Sequence, residues 1–110
     1  MTRGIGYGAL GAYASGVCHY CARHNATTDD HLVPRSAFPM HQSALPYWFR
    51  QHNIAPACAP CNNFKAHFRS DCECSQCAWV WNTALALFLP ADYVVRRRWV
   101  IRVGQARMVA

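Results

Sequence analysis

The chain has 110 residues, 53% of them hydrophobic, with eleven Lys and Arg against five Asp and Glu for a formal charge of +6. That length admits one domain, near the size at which an apolar core becomes self-sufficient and still gains from a metal or disulfide staple. No run approaches the roughly eighteen continuous apolar residues of a membrane helix, and the cationic excess, ten of its eleven members arginine, favours a polyanionic partner through bidentate contact with phosphate.

Residues 1–16, MTRGIGYGALGAYASG, read as a flexible arm, because the glycines break up the compact apolar stretch that a signal peptide needs. Residues 17–110 then form a single domain, with a core motif over 18–69 and a C-terminal extension over 70–110. Seven cysteines without a secretory signal point to a reducing compartment, the cytoplasm, where paired cysteines bind metal rather than oxidise. Cys18 and Cys21 in CHYC, and Cys58 and Cys61 in CAPC, share one spacing. Each such turn sets two thiolates about one zinc-ligand spacing apart, and two turns complete a tetrahedral shell. With four sulfurs no position remains for water, so this zinc is expected to hold the fold and not to perform chemistry.

Between the two pairs, Thr27–Val33 reads as a short strand stopped by Pro34, with His31 near its end. Gln42–His52 reads as a helical stretch interrupted or started near Pro46, with Leu45, Trp48 and Phe49 at helical spacing. Asn53–Ala57 is a second extended segment, and Asn62–Arg69 a helix bringing Phe64 and Phe68 together at i and i+4. His24, His41 and His52 read as surface or zinc-periphery residues. Cys72, Cys74 and Cys77 in CECSQC read as buried or partly exposed thiols, in preference to a further metal site with His67 as fourth ligand. AWVWNTALALFLP suits a buried helix ended before Pro90. In the tail ADYVVRRRWVIRVGQARMVA, a helix over Ala91–Arg102 and a strand over Val94–Val103 fit equally. Arg96, Arg97 and Arg98, with Arg102 and Arg107, make a basic and aromatic surface able to follow a phosphate backbone.

DDHLVP, NIAPAC and CNNFK together resemble the three blocks of the HNH endonuclease family, over Cys18 to His67, under half the chain. Because Asn62 stands where the final histidine of the motif would be, the sequence resembles the H-N-N subgroup. The resemblance implies an α+β chain built on a small ββα-metal motif braced by the four-cysteine zinc, with an additional C-terminal helical segment. It implies His31 as the catalytic histidine, Asp30 and Asn62 as ligands of a catalytic divalent ion, and Asn53 as the residue fixing the loop that carries the histidine. Lys65 matches the basic residue closing the last block. Small stand-alone relatives often belong to bacteriophages or mobile elements, which would put the protein in a host cytoplasm.

The chemistry asks for these residue types independently. Phosphodiester hydrolysis needs a base for water, and histidine, with an ordinary pKa of about 6.5, is substantially neutral at physiological pH. It also needs a cation against the phosphoryl oxygens, and a hard ion such as Mg²⁺ or Mn²⁺ on one carboxylate and one amide oxygen keeps positions for water and substrate. Asp29 reads as the start of the strand, and Arg35, with Lys65, Arg96, Arg97 and Arg98, as a contact to nucleic acid. The expectation is a metal-dependent DNA endonuclease or nickase, with no membrane partner and no small-molecule cofactor. The alternatives are a zinc-stabilised nucleic-acid-binding module that leaves His31 idle, and an HNH nuclease acting on RNA.

Overall fold

The computed structural model describes residues 16–101. The N-terminal arm apart from Gly16, and the end of the basic tail including Arg102 and Arg107, lie outside the described residues. The order of regular elements is β1 (Thr28–His31), α1 (Tyr47–Arg50), β2 (Ile54–Ala57), α2 (Ala59–Lys65), β3 (Arg69–Ser70), α3 (Ser75–Leu87) and β4 (Arg97–Arg98), a small α+β arrangement of short pieces. β1 and β2 pair antiparallel, with Thr28 opposite Ala57 and His31 opposite Ile54. β3 and β4 pair in parallel.

The departures from expectation have local causes. β1 is shorter than Thr27–Val33 because the chain leaves the ladder after His31: Leu32 N–H donates to the Asn53 carbonyl, and Val33 N–H to the Asn53 side chain. The stretch Gln42–His52 is divided at Pro46, which has no N–H to continue a helix. A 3-10 turn over Gln42–Ala44, capped by His41, precedes it, and α1 follows with Pro46 as its N-cap. α2 begins at Ala59, before the expected Asn62, with a proline in its first turn where a missing N–H costs nothing. It stops at Lys65 because Ala66 takes φ 48° and ψ −126°, far from helical values.

Phe68 is therefore off the helix that should have carried it beside Phe64. The two rings are instead joined by Arg98, whose guanidinium carbon lies 5.0 Å from the Phe64 centroid and 3.9 Å from that of Phe68. α3 stands where AWVWNTALALFLP predicts it, extended at its N-terminus to Ser75, and buries Cys77, Val80, Trp81 and Ala84 along one face. Neither extent expected for the tail is found: only Arg97 and Arg98 pair as β4, and helical conformation begins at Val100.

The core that unites these pieces includes Leu32, Val33, Phe49, Ala55, Ala57, Val80, Trp81 and Val100, all at most 2% exposed. Each large member contributes about 1.5–3 kcal/mol by leaving water. The cysteines of both CxxC turns are buried with them. Among the described residues, no helix is long and apolar enough to cross a membrane.

Candidate functional site: two cysteine clusters and a histidine pocket

The CHYC turn distributes its four side chains to three places. Cys18 and Cys21 meet Cys58 and Cys61, their sulfurs all within 4.8 Å of one another and all four residues buried, a donor set able to hold a metal ion. Cys58 precedes α2 as its N-cap and Cys61 lies in its first turns, so α2 is tied by this cluster to the segment before β1. Peptide N–H groups point at the sulfurs, as with Tyr20 N–H on Cys18 Sγ at 3.3 Å. Burial opposes the Cys21 thiolate, but the N–H groups of His24 and Arg23, together with the Cys18 and Cys58 thiols, bring this thiol down to about 6. Burial pushes the Cys58 and Cys61 thiols up, so a metal bound there would displace their protons to solvent.

His19 points to a different place. Its Nε2 lies 3.4 Å from Cys72 Sγ, 3.8 Å from Cys74 Sγ and 3.4 Å from Cys77 Sγ, a second group of four donors within 4.8 Å of one another. The three cysteines, read from the sequence as buried or partly exposed thiols, thus stand with His19 as a donor set able to hold a metal ion. His67 is not their partner: it is exposed and stacks on Phe68, with centroids 4.6 Å apart. Within the cluster, the Cys77 thiol and His19 hold Cys72 down to about 3, while the neighbouring Cys72 sulfur raises Cys77.

Tyr20, the remaining residue of the turn, donates its hydroxyl to Asp30 Oδ2. Lys65 Nζ lies 3.3 Å from Asp30 Oδ1 and donates to the His31 carbonyl at 2.9 Å. Asp30 is 4% and Lys65 1% exposed. Burial raises the Asp30 carboxyl against the opposing pull of Lys65, and lowers the Lys65 ammonium. Lys65 therefore cannot serve as the surface contact to nucleic acid expected of it, since α2 turns it inward onto a carboxylate. Asn62 lies on the same face of β1 but donates to Thr28 Oγ1, at 2.9 Å. The divalent ion expected on Asp30 and Asn62 is poorly fitted by this arrangement, because both Asp30 oxygens already accept bonds and a buried cation stands beside them.

Side chains alternate along a strand, so His31 faces away from the Asp30 side. It lines a cavity of about 90 Å³ with Arg35, Phe38, Gln42, Leu45, Arg50, Asn53 and Ile54. Burial, then the positive charge of Arg35, push the imidazole below its ordinary 6.5, with a smaller opposing pull from Asp30. Arg50 is held at the cavity by its Nε–H donating to the Leu45 carbonyl at 3.1 Å, and its guanidinium lies 5.8 Å from the Tyr47 ring centroid.

The loop leaving His31 is clamped by Asn53. Its Oδ1 accepts from Val33 N–H at 2.8 Å and its Nδ2 donates to the Val33 carbonyl at 3.0 Å. Asn53 is 3% exposed, so both bonds are made out of water. Of the basic candidates, Arg35, Arg96 and Arg97 are exposed, whereas Arg98 is directed inward and donates to the Phe64 carbonyl at 2.7 Å.

Sequence reasoning passed over His19, Tyr20, Gln42 and Arg50. For His19 a signal was present: a metal-ligating residue type between two ligands of a tight turn is offered to the opposite side from its neighbours. In comparisons with protein-family models, curated proteins and solved structures, none matches this chain.

Proposed function

We propose that the protein is a nuclease of the HNH type that hydrolyses phosphodiester bonds in DNA, cutting or nicking it, with His31 as general base. The observation that carries this reading is the His31 pocket: a partly buried imidazole whose pKa burial and Arg35 lower, in a cavity lined also by Arg35 and Arg50, at the end of β1 where Asn53 holds the following loop at two points. The cavity has room for a few water molecules and not for a nucleoside, so the phosphodiester would sit at its mouth. A neutral His31 takes the proton of the attacking water as its oxygen bonds to phosphorus, the P–O bond to the 3′ oxygen breaks, and that oxygen takes a proton from solvent. The guanidinium groups of Arg35 and Arg50 balance the charge that develops on the phosphoryl oxygens. The amide of Asn53 keeps the loop from shifting the base away from the water.

Asp30 and Asn62 take no part in these roles, because Lys65 already neutralises Asp30 and Asn62 donates to Thr28. The same contact favours a second reading, a zinc-stabilised nucleic-acid-binding module without catalysis. Incubating the purified protein with supercoiled plasmid, with Mg²⁺, Mn²⁺ or EDTA and with zinc content measured in each arm, separates the two. Conversion to nicked circles supports the nuclease, and the metal arms report whether cleavage depends on an added divalent ion. Binding without strand scission in every arm would leave the binding module, and scission of an RNA but not of DNA would reassign the substrate.

A further inference from the structure

We infer that His19, Cys72, Cys74 and Cys77 hold a second zinc ion, distinct from that of the four-cysteine cluster, so that the folded chain carries two. The inference is independent of the nuclease reading. Its first support is metric. A tetrahedral zinc with Zn–S near 2.3 Å and Zn–N near 2.05 Å has nitrogen-to-sulfur edges of about 3.6 Å. The three edges from His19 Nε2 are 3.4, 3.4 and 3.8 Å. An iron–sulfur cluster would spread its ligands much farther apart than a single ion does.

The second support is local structure. Cys74 is the N-cap of α3, with its sulfur accepting from Cys77 N–H at 3.5 Å, and Cys72 N–H is held by Ser70 Oγ at 3.2 Å. The cysteines are thus set by the start of a helix and by the chain leaving β3. Ser70 is itself 4% exposed. The third support is topological. β1, β2 and α2 are braced by the first cluster, whereas α3 comes from sequence beyond it. A metal shared by His19 and three cysteines beside α3 would join that helix to the same turn that braces the rest.

Three sulfurs and one imidazole fill a tetrahedron, so this ion has no open position for water and would be structural. Binding releases the remaining cysteine protons to solvent and needs no oxidant. The stabilisation would add to what already holds α3, its buried face and the bonds from Gln76 Nε2 to the His52 and Ile54 carbonyls.

Native mass spectrometry of the full chain, produced in zinc-supplemented medium, tests the assignment. Two zinc ions per wild-type chain are expected, and one in each of Cys74→Ser and His19→Ala. A wild type with one ion or none, or with two that both variants retain, overturns the proposal. If the variants fail to fold, cadmium-113 NMR of the substituted wild type decides. Two resonances are expected, the less deshielded belonging to the site with three sulfurs and a nitrogen, and a single four-sulfur resonance would overturn the second site.

Discussion

Lys65 and Asp30 form a charge pair at 3.3 Å with both side chains almost wholly out of water. Such a pair is costly to break from one side, because the remaining charge is left buried and uncompensated. Lys65→Met should therefore lower stability by about 3–5 kcal/mol, measured by urea unfolding of the zinc-loaded protein. Adding Asp30→Asn should recover much of the loss, and a Lys65→Met protein as stable as wild type would show that Asp30 is not charged in the fold. His31 gives a second prediction at this scale. Burial and Arg35 lower its pKa from 6.5, and the active base is the neutral form. Activity should thus be present at neutral pH and be lost as pH falls through that lowered value, so the acid limb of the rate profile lies below 6.5. A limb centred above 6.5 would mean that His31 is charged at work or that another group titrates.

At the scale of elements, β1 and β2 hold the pocket in place through Asn53, whose two bonds to Val33 span the start of the loop. Replacing it by alanine leaves a buried peptide N–H and C=O without those partners, at about 1–3 kcal/mol each. Asn53→Ala is expected to lower the thermal midpoint and to reduce the cleavage rate at saturating DNA more than it weakens DNA binding. Equal loss of both would make Asn53 a general stabiliser and no more. Asn53 was singled out by the resemblance of NIAPAC to a family block, and its two bonds to the Val33 peptide appear only in the fold. The inward turn of Lys65 was hidden by the expected helix start at Asn62: only with the helix beginning at Ala59 do Cys61 and Lys65 share a buried face at i and i+4. What could not be read locally was the end of α2 at Ala66, which separates Phe64 from Phe68, and the arrival of Arg98 from far along the chain between their rings.

At the scale of the molecule, the CHYC turn is the common anchor: it supplies two sulfurs to one cluster, a nitrogen to the other and the Tyr20 hydroxyl to Asp30. The first cluster was legible because CxxC spacing is local. The second was not, because its histidine lies more than fifty positions from its cysteines and only the fold makes them neighbours. With so much hung on this turn, Cys58→Ser should abolish the cooperative unfolding transition seen for the wild type, as for other small domains whose folding depends on metal. A cooperative melt close to that of wild type would remove the first zinc from the account of stability. The catalytic role of His31 is the central claim, and the single-turnover cleavage rate of His31→Ala on plasmid DNA tests it most directly, with zinc content and DNA affinity matched to wild type. The rate should fall by about 10²–10⁴-fold, the usual share of general-base catalysis, whereas an unchanged rate would contradict the assignment of His31 as the base.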